Sequence, residues 1–306
     1  MAGSDAQVRA CAAFLLAALV VLTAGCSLVS VGYNNASMLA VWGSDRWFSL
    51  TSAQEADLRK RLEPLLAWHR ATQLPEYASF LSRVQVRLQG RIEDADVEWL
   101  YAESRKRFRL VVDAAAPDAA ALVLTLRPDQ IDRLESRFAR TDREFAASDV
   151  DVPPSEARER FVADTIKGAE RWLGSLDAAQ RKRLRALAME MPFEPRLMLE
   201  DYMRRHRDLI ELLRSGIARG AESRPAMESG LRRILGRWQE GQSAAYGEYI
   251  KRQTAAFQHF FAEAMNLATA GQRRHAIERL QHYIEELLAL AGQPSGVRLM
   301  PGRESM

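Results

Sequence analysis

The sequence predicts an all-α protein: a multi-helix bundle, elongated or divided into two helical lobes, that follows a cleaved N-terminal signal segment. Three observations lead there. Apolar residues recur three or four positions apart along most of the chain, which is the spacing of amphipathic helices. Gly (17) and Pro (11) are sparse among 306 residues, and few stretches combine β-branched residues with turn signals, which argues against a sandwich, a barrel or a Gly-rich nucleotide-binding fold. With 47% hydrophobic and 27% charged residues, the chain is too apolar for disorder and long enough for a sizeable core.

Taken in order, Ala10 to Ala24 is an unbroken apolar run behind Arg9 and ahead of Gly25-Cys26-Ser27. It has the length of a signal-peptide core and falls short of the roughly 20 residues a membrane span needs. Tyr33 to Leu50 holds Met38, Leu39, Val41, Trp42, Trp47 and Phe48 among few charges, so it should be buried or contact something. A helix is expected from Ser52 to Gln73, with the stripe Leu58, Leu62, Leu65 and His69 and a kink at Pro64. Leu74-Pro75 opens another, with Tyr77, Phe80, Leu81, Val84 and Leu88 on its apolar face. Further helices follow at about 94–113, 128–147, 155–174, 178–190, 195–217, 225–239, 244–268 and 271–291. The stripe of 128–147 is Ile131, Leu134, Phe138 and Phe145; that of 244–268 is Tyr246, Tyr249, Gln253, Phe257, Phe260, Ala264 and Leu267. Ala121 to Leu126 has no strand to pair with and is assigned to helix. Breaks are expected at Ser148–Pro154 and Gly216–Pro225.

A glutamine recurs at the start of four helices, in Leu50-Thr51-Ser52-Ala53-Gln54, Leu126-Arg127-Pro128-Asp129-Gln130, Leu176-Asp177-Ala178-Ala179-Gln180 and Thr269-Ala270-Gly271-Gln272. Thr51, Asp177 and Thr269 can accept the N3 backbone N–H while Gln54, Gln180 and Gln272 reach back to the cap, forming capping boxes. The second copy places Arg127 at the cap and Pro128 at N1. The unequal spacing marks recurrent helix-start chemistry and not a solenoid.

Lys+Arg 43 against Asp+Glu 40 gives a net charge of +3. Clusters such as Arg105-Lys106-Arg107, Arg181-Lys182-Arg183 and Arg204-Arg205 share helices with Glu and Asp, so no nucleic-acid footprint is expected. Five histidines, His69, His206, His259, His275 and His282, form no HExxH pattern. His275, Glu278 and His282 share one helix face but lack a fourth ligand, so neither metal nor cofactor is expected. No G-x-S-x-G, Walker-type or dinucleotide loop occurs, and catalysis has no sequence support.

Leu22-Thr23-Ala24-Gly25-Cys26 resembles the lipobox of bacterial lipoproteins. The resemblance implies that Cys26 is acylated and becomes the mature N-terminus, and that Ser27 directs the protein to the outer membrane. The only other cysteine, Cys11, lies in the removed segment, so no thiol or disulfide is expected in the mature core. The expected division is then signal peptide 1–25, lipidated tether 26–32, N-terminal helical region 33–147, C-terminal helical region 155–292 and flexible tail 293–306.

Trp42, Asp45, Trp47, the Leu50-Thr51…Gln54 helix start, Trp68-His69-Arg70 and Leu74-Pro75-Glu76-Tyr77 occur in an order similar to an uncharacterised family of proteobacterial all-helical lipoproteins. Trp42, Asp45, Trp47, Trp68, His69, Arg70 and Tyr77 are accordingly the candidate partner surface, with a packed corner as the plainer alternative. The Thr51-x-x-Gln54 and Thr269-x-x-Gln272 starts also resemble the LTxxQ motif of Spy-type periplasmic chaperones. The expected function is a lipid-anchored, non-enzymatic helical protein facing the periplasm that binds or scaffolds an envelope protein. A chaperone for unfolded clients is the alternative, and an enzyme built on His69 or the His275 face comes third.

Overall fold

The computed structural model describes residues 28–236 and 243–293. Cys11, Cys26, Ser27 and residues 294–306, on which expectations about export, lipidation and the tail rest, lie outside the described residues. Twelve α-helices occur among the described residues. They are α1 (Leu28–Asn34), α2 (Ala36–Phe48), α3 (Ser52–Trp68), α4 (Leu74–Leu88), α5 (Asp94–Val123), α6 (Pro128–Phe145), α7 (Pro154–Leu173), α8 (Ala178–Glu190), α9 (Pro195–Arg219), α10 (Arg224–Gly236), α11 (Ala244–Leu267) and α12 (Ala270–Ala291). No strand is present among the described residues, so the all-α expectation is met.

Several boundaries differ from the sequence reading, each for a local reason. The first described residue, Leu28, is already helical, inside the stretch expected to be a tether. Helix α3 runs through Pro64, which together with Lys60 faces solvent; the Lys60 carbonyl that proline leaves unpaired is therefore open to water. The irregularity comes later, as a π-helical turn at His69–Gln73 that leads directly into α4. A second π-turn, Ala146–Val150, ends α6. Helix α5 continues past 113 and through Pro117 to Val123, which places Ala121 to Val123 in helix and the next residues in a turn.

Two hydrophobic cores form. One gathers Phe80, Val84 and Leu88 of α4 with Val162 and Ile166 of α7, Leu184 of α8, Phe260 and Met265 of α11 and Leu280 of α12. The other gathers Ile131 and Leu134 of α6 with Ile210 and Leu213 of α9 and Met227 and Leu231 of α10. Helix α5, 30 residues long and so about 45 Å from end to end, joins them. Val97 at its start lies in the first core, and Ala120 and Val123 at its end lie in the second.

Each core draws on residues of both the 33–147 and the 155–292 stretches. In the first core α12 returns to lie antiparallel along α4. Arg273 donates to the Leu88 carbonyl (2.8 Å), Gln85 to the Ile277 carbonyl (3.0 Å) and Arg70 to the Leu290 carbonyl (3.0 Å).

The four glutamine helix starts pair off. Thr51, Asp177 and Thr269 cap as expected, and the Arg127 N–H donates to Gln130 Oε1 (2.9 Å). Each glutamine amide then crosses to the partner helix start. Gln54 Nε2 donates to the Thr125 carbonyl (2.8 Å) and to Gln130 Oε1 (3.1 Å), while Gln130 Nε2 donates to the Ser49 carbonyl (2.8 Å) and to Gln54 Oε1 (2.9 Å). The same clasp recurs between Gln180 and Gln272, which reach the Leu267 and Ser175 carbonyls (2.8 Å each) and each other (2.8 and 3.1 Å). Every amide proton and oxygen of the four side chains is thereby usable without water. That is what allows Gln54, Gln130 and Gln180 to be buried.

Candidate functional site

The seven residues expected to form a partner surface separate into two places. At the π-turn, Tyr33 of α1 hydrogen-bonds His69 Nδ1 (2.9 Å), and the Tyr77 ring stands edge-on to His69 (5.4 Å between centroids), as does Trp68 (6.2 Å). Arg70 lies over the Tyr33 ring (5.0 Å) and donates to Asn34 Oδ1 (3.2 Å) and to the last-turn carbonyl of Leu290. Burial lowers the His69 pKa below the usual histidine value, and burial likewise raises those of Tyr33 and Tyr77. A neutral His69 that accepts at Nδ1 from the Tyr33 hydroxyl fits these shifts. This cluster is a packed corner that ties α1 and α12 to the α3–α4 bend.

Trp42, Asp45 and Trp47 lie elsewhere, along α2. Asp45 Oδ1 accepts from the Leu50 N–H (2.9 Å) and so steadies the turn into α3. Trp47 packs on Phe138 (5.6 Å), and Phe138 stacks flat on His206 (4.0 Å), whose Nδ1 meets Asp142 (3.0 Å). Trp42 remains 62% exposed. His275, Glu278 and His282 are all on the surface, with His282 paired to the buried Glu286 (2.6 Å). No group of three potential metal-binding side chains occurs among the described residues.

A site that sequence reasoning missed lies between α7 and α11, beside the first core. It is a half-open cleft of about 760 Å³ whose lining also includes Phe193, Arg279 and Asp149, within the size range of small-molecule pockets. Phe161 and Phe193 stack along one wall (4.7 Å, 21° between planes), with the Arg158 guanidinium near both rings (5.7 and 5.2 Å). On the other side Arg279 lies over Trp172 (5.2 Å) and Tyr283 (5.8 Å) and donates to the Arg171 carbonyl. The floor is Phe260, Ala264 and Met265, all buried, whereas Phe257 is 49% exposed at the mouth and Trp172 is 36% exposed at the rim.

Charges ring this apolar surface. Arg160 pairs with Glu156 (2.6 Å) and lies 4.0 Å from Asp149, and Lys167 holds Asp164 (3.2 Å). The one hydroxyl in the lining, Thr165, is engaged with the Phe161 carbonyl (2.8 Å). The arrangement therefore offers stacking faces, aliphatic contact and guanidinium donors, the means of holding an apolar or aromatic segment flanked by polar groups. The nearest sequence signal is the α11 stripe. Phe257, Phe260 and Phe261 stand at i, i+3 and i+4 on one helix face and so read alike as core; periodicity alone does not say which of them stays open.

Residues 46–240 match the model of a family of unknown function, DUF6279. No curated protein and no solved structure matches the chain.

Proposed function

The chain belongs to DUF6279, a family of unknown function, and we propose that it is a lipid-anchored, non-enzymatic helical protein of the cell envelope. In this reading Cys26 carries the lipid, Ser27 directs the protein to the outer membrane, and the helical body faces the periplasm. There it binds or scaffolds another envelope protein. The observation that carries the binding role is the α7–α11 cleft, where Phe257 and Trp172 are left open to solvent beside a wall of stacked rings and guanidinium groups. Large aromatic side chains exposed next to arginines are the composition of protein-binding hot spots. The anchoring role rests on the Leu22–Cys26 motif.

The test is photocrosslinking in cells from positions 257 and 172, beside Cys26→Ala. A few discrete adducts that disappear in Phe257→Asp, while Phe257→Asp keeps its helical circular dichroism, support a partner site. Crosslinks that match those from a control position on α6 remove it. Cys26→Ala is expected to leave the protein folded and to release it from sedimented membranes; continued tight association defeats the anchor.

The same exposed aromatics favour one second reading, a chaperone that holds unfolded clients. A broad set of nascent envelope proteins crosslinked at 257, together with suppression of client aggregation by the Cys26→Ala protein, would put that reading first.

A further inference from the structure

We infer that α1 and α2 lie flat on a phospholipid bilayer, with Val31, Met38, Leu39 and Trp42 seated at the headgroup–acyl boundary. This rests on the lipid-anchor reading above and extends it from a point attachment to an oriented contact surface.

Three observations lead there. From Ala10 to Ser44 the chain contains no Asp, Glu, Lys, Arg or His, although 27% of all residues are charged. The uncharged stretch thus runs well past the signal segment and through α1 and most of α2. Second, that stretch is only half used by the fold. Val41 is buried (3%) and Tyr33 packs on His69, but Val31 (49% exposed), Met38 (53%), Leu39 (47%) and Trp42 (62%) face solvent.

The backbone makes these one surface. Asn35 N–H donates to the Val31 carbonyl (3.2 Å) and Leu39 N–H to the Asn35 carbonyl (2.9 Å), so α1 runs into α2 in nearly continuous helical bonding. Positions 31, 35, 38, 39, 42 and 46 then fall on one side. Asn35, the polar member of the stripe, spends its side-chain amide on the Val31 carbonyl (2.8 Å), and Arg46 closes the stripe with its guanidinium 5.9 Å from the Trp42 ring. Tryptophan with an adjacent arginine at the edge of an apolar stripe suits the interface, where the ring sits at headgroup depth and the cation reaches phosphate.

Third, the place of this surface in the chain selects its occupant. The first described residue, Leu28, is already helical and stands two positions after Cys26 in the sequence, so a lipid on Cys26 lies within about 7 Å of chain from α1. Acyl chains inserted at Cys26 hold α1 within a few ångströms of the headgroups, and an uncharged apolar face beside them meets no charge penalty on settling there. A bilayer is thus the occupant that chain geometry brings to this face at high effective concentration.

The experiment uses the full chain, purified from membranes with its lipid and reconstituted in phosphatidylethanolamine–phosphatidylglycerol vesicles. Acylation of Cys26 is first checked by mass spectrometry of the N-terminal peptide, which tests the anchor by itself. An environment-sensitive dye is then placed through Leu39→Cys and, as a control, through Met203→Cys, an exposed site on α9. The expected result is a blue-shifted dye at 39 that is quenched by lipids carrying shallow nitroxides, and a water-like, unquenched dye at 203. Acylated protein with a water-like dye at 39 overturns the inference while leaving the anchor intact. A blue-shifted dye that no lipid quencher reaches, in a protein that sediments as a dimer, overturns it in favour of a second copy.

The face is also tested without the lipid. Unacylated Cys26→Ser protein should bind the same vesicles weakly, and Trp42→Asp should lower that partitioning about tenfold or more. Partitioning unchanged by Trp42→Asp, in protein of unchanged helical content, counts against the contact.

Discussion

Replacing Gln130 by leucine tests the clasp between helix starts most directly. The side chain is wholly buried (0% exposed), and leucine fills a similar volume, so the loss falls on hydrogen bonding. Gln130 accepts from the Arg127 N–H, donates to the Ser49 carbonyl and exchanges amide bonds with Gln54, which is itself 7% exposed. Removing it orphans one side of the Gln54 amide and the Ser49 carbonyl, and each buried unsatisfied group costs about 1–3 kcal/mol. Arg127 is at the surface, so its N–H can turn to water and contributes little.

The expected loss is therefore about 2–4 kcal/mol; Gln54→Leu should lose less, about 1–3 kcal/mol, because its carbonyl partner Thr125 is at the surface and can turn to water. In Gln54→Leu/Gln130→Leu no amide is left facing an empty position, so the double variant should lose less than the two singles together, by about 1–2 kcal/mol. Urea unfolding of the Cys26→Ser protein, followed by far-ultraviolet circular dichroism, measures all three. Gln180→Leu, in the separate clasp, should add to Gln130→Leu without coupling. A single-variant loss below about 0.5 kcal/mol, or strict additivity between Gln54 and Gln130, would refute the account.

Other expectations follow from local geometry. Arg70→Met should loosen both ends of the chain at once, since Arg70 holds the Leu290 carbonyl and the Tyr33 ring; hydrogen exchange should quicken in α1 and in the last turn of α12 while α6 is unaffected. His69 has its pKa lowered by burial, so the unfolded chain takes up a proton before the native one does. Stability should then be full above the unfolded value of about 6.5 and fall as pH drops below it, and a His69 titration midpoint by NMR at or above 6.5 would contradict this. Gly230→Ala should destabilise by about 1–3 kcal/mol, because its Cβ would fall 2.6 Å from both Leu212 methyls. Gly43→Ala, with nothing within 4 Å, should stabilise α2 by about 0.5–1 kcal/mol; thermal denaturation of the two variants separates a helix-propensity effect from a packing effect.

What the sequence by itself determined is the set of features whose physics is local. Apolar spacing places the helices, and a threonine or aspartate three residues before a glutamine starts them, because a cap is satisfied within one turn whatever the rest of the chain does. Thr51, Asp177 and Thr269 accordingly cap as read. The bend at Trp68-His69-Arg70 was legible as a packed corner, although its carbonyl partner, Leu290, lies 220 residues away.

Tertiary structure alone decided the pairings. Nothing in the spacing says that Gln54 clasps Gln130 and that Gln180 clasps Gln272, nor that α12 lies along α4 in the first core while α9 and α10 meet α6 in the second. The cleft belongs to the same class. Phe257 and Phe260 read alike on the α11 stripe, yet Phe260 is buried and Phe257 is open, because burial depends on which neighbour arrives opposite each face. Periodicity gives the face of a helix, and only the packed chain gives what that face meets.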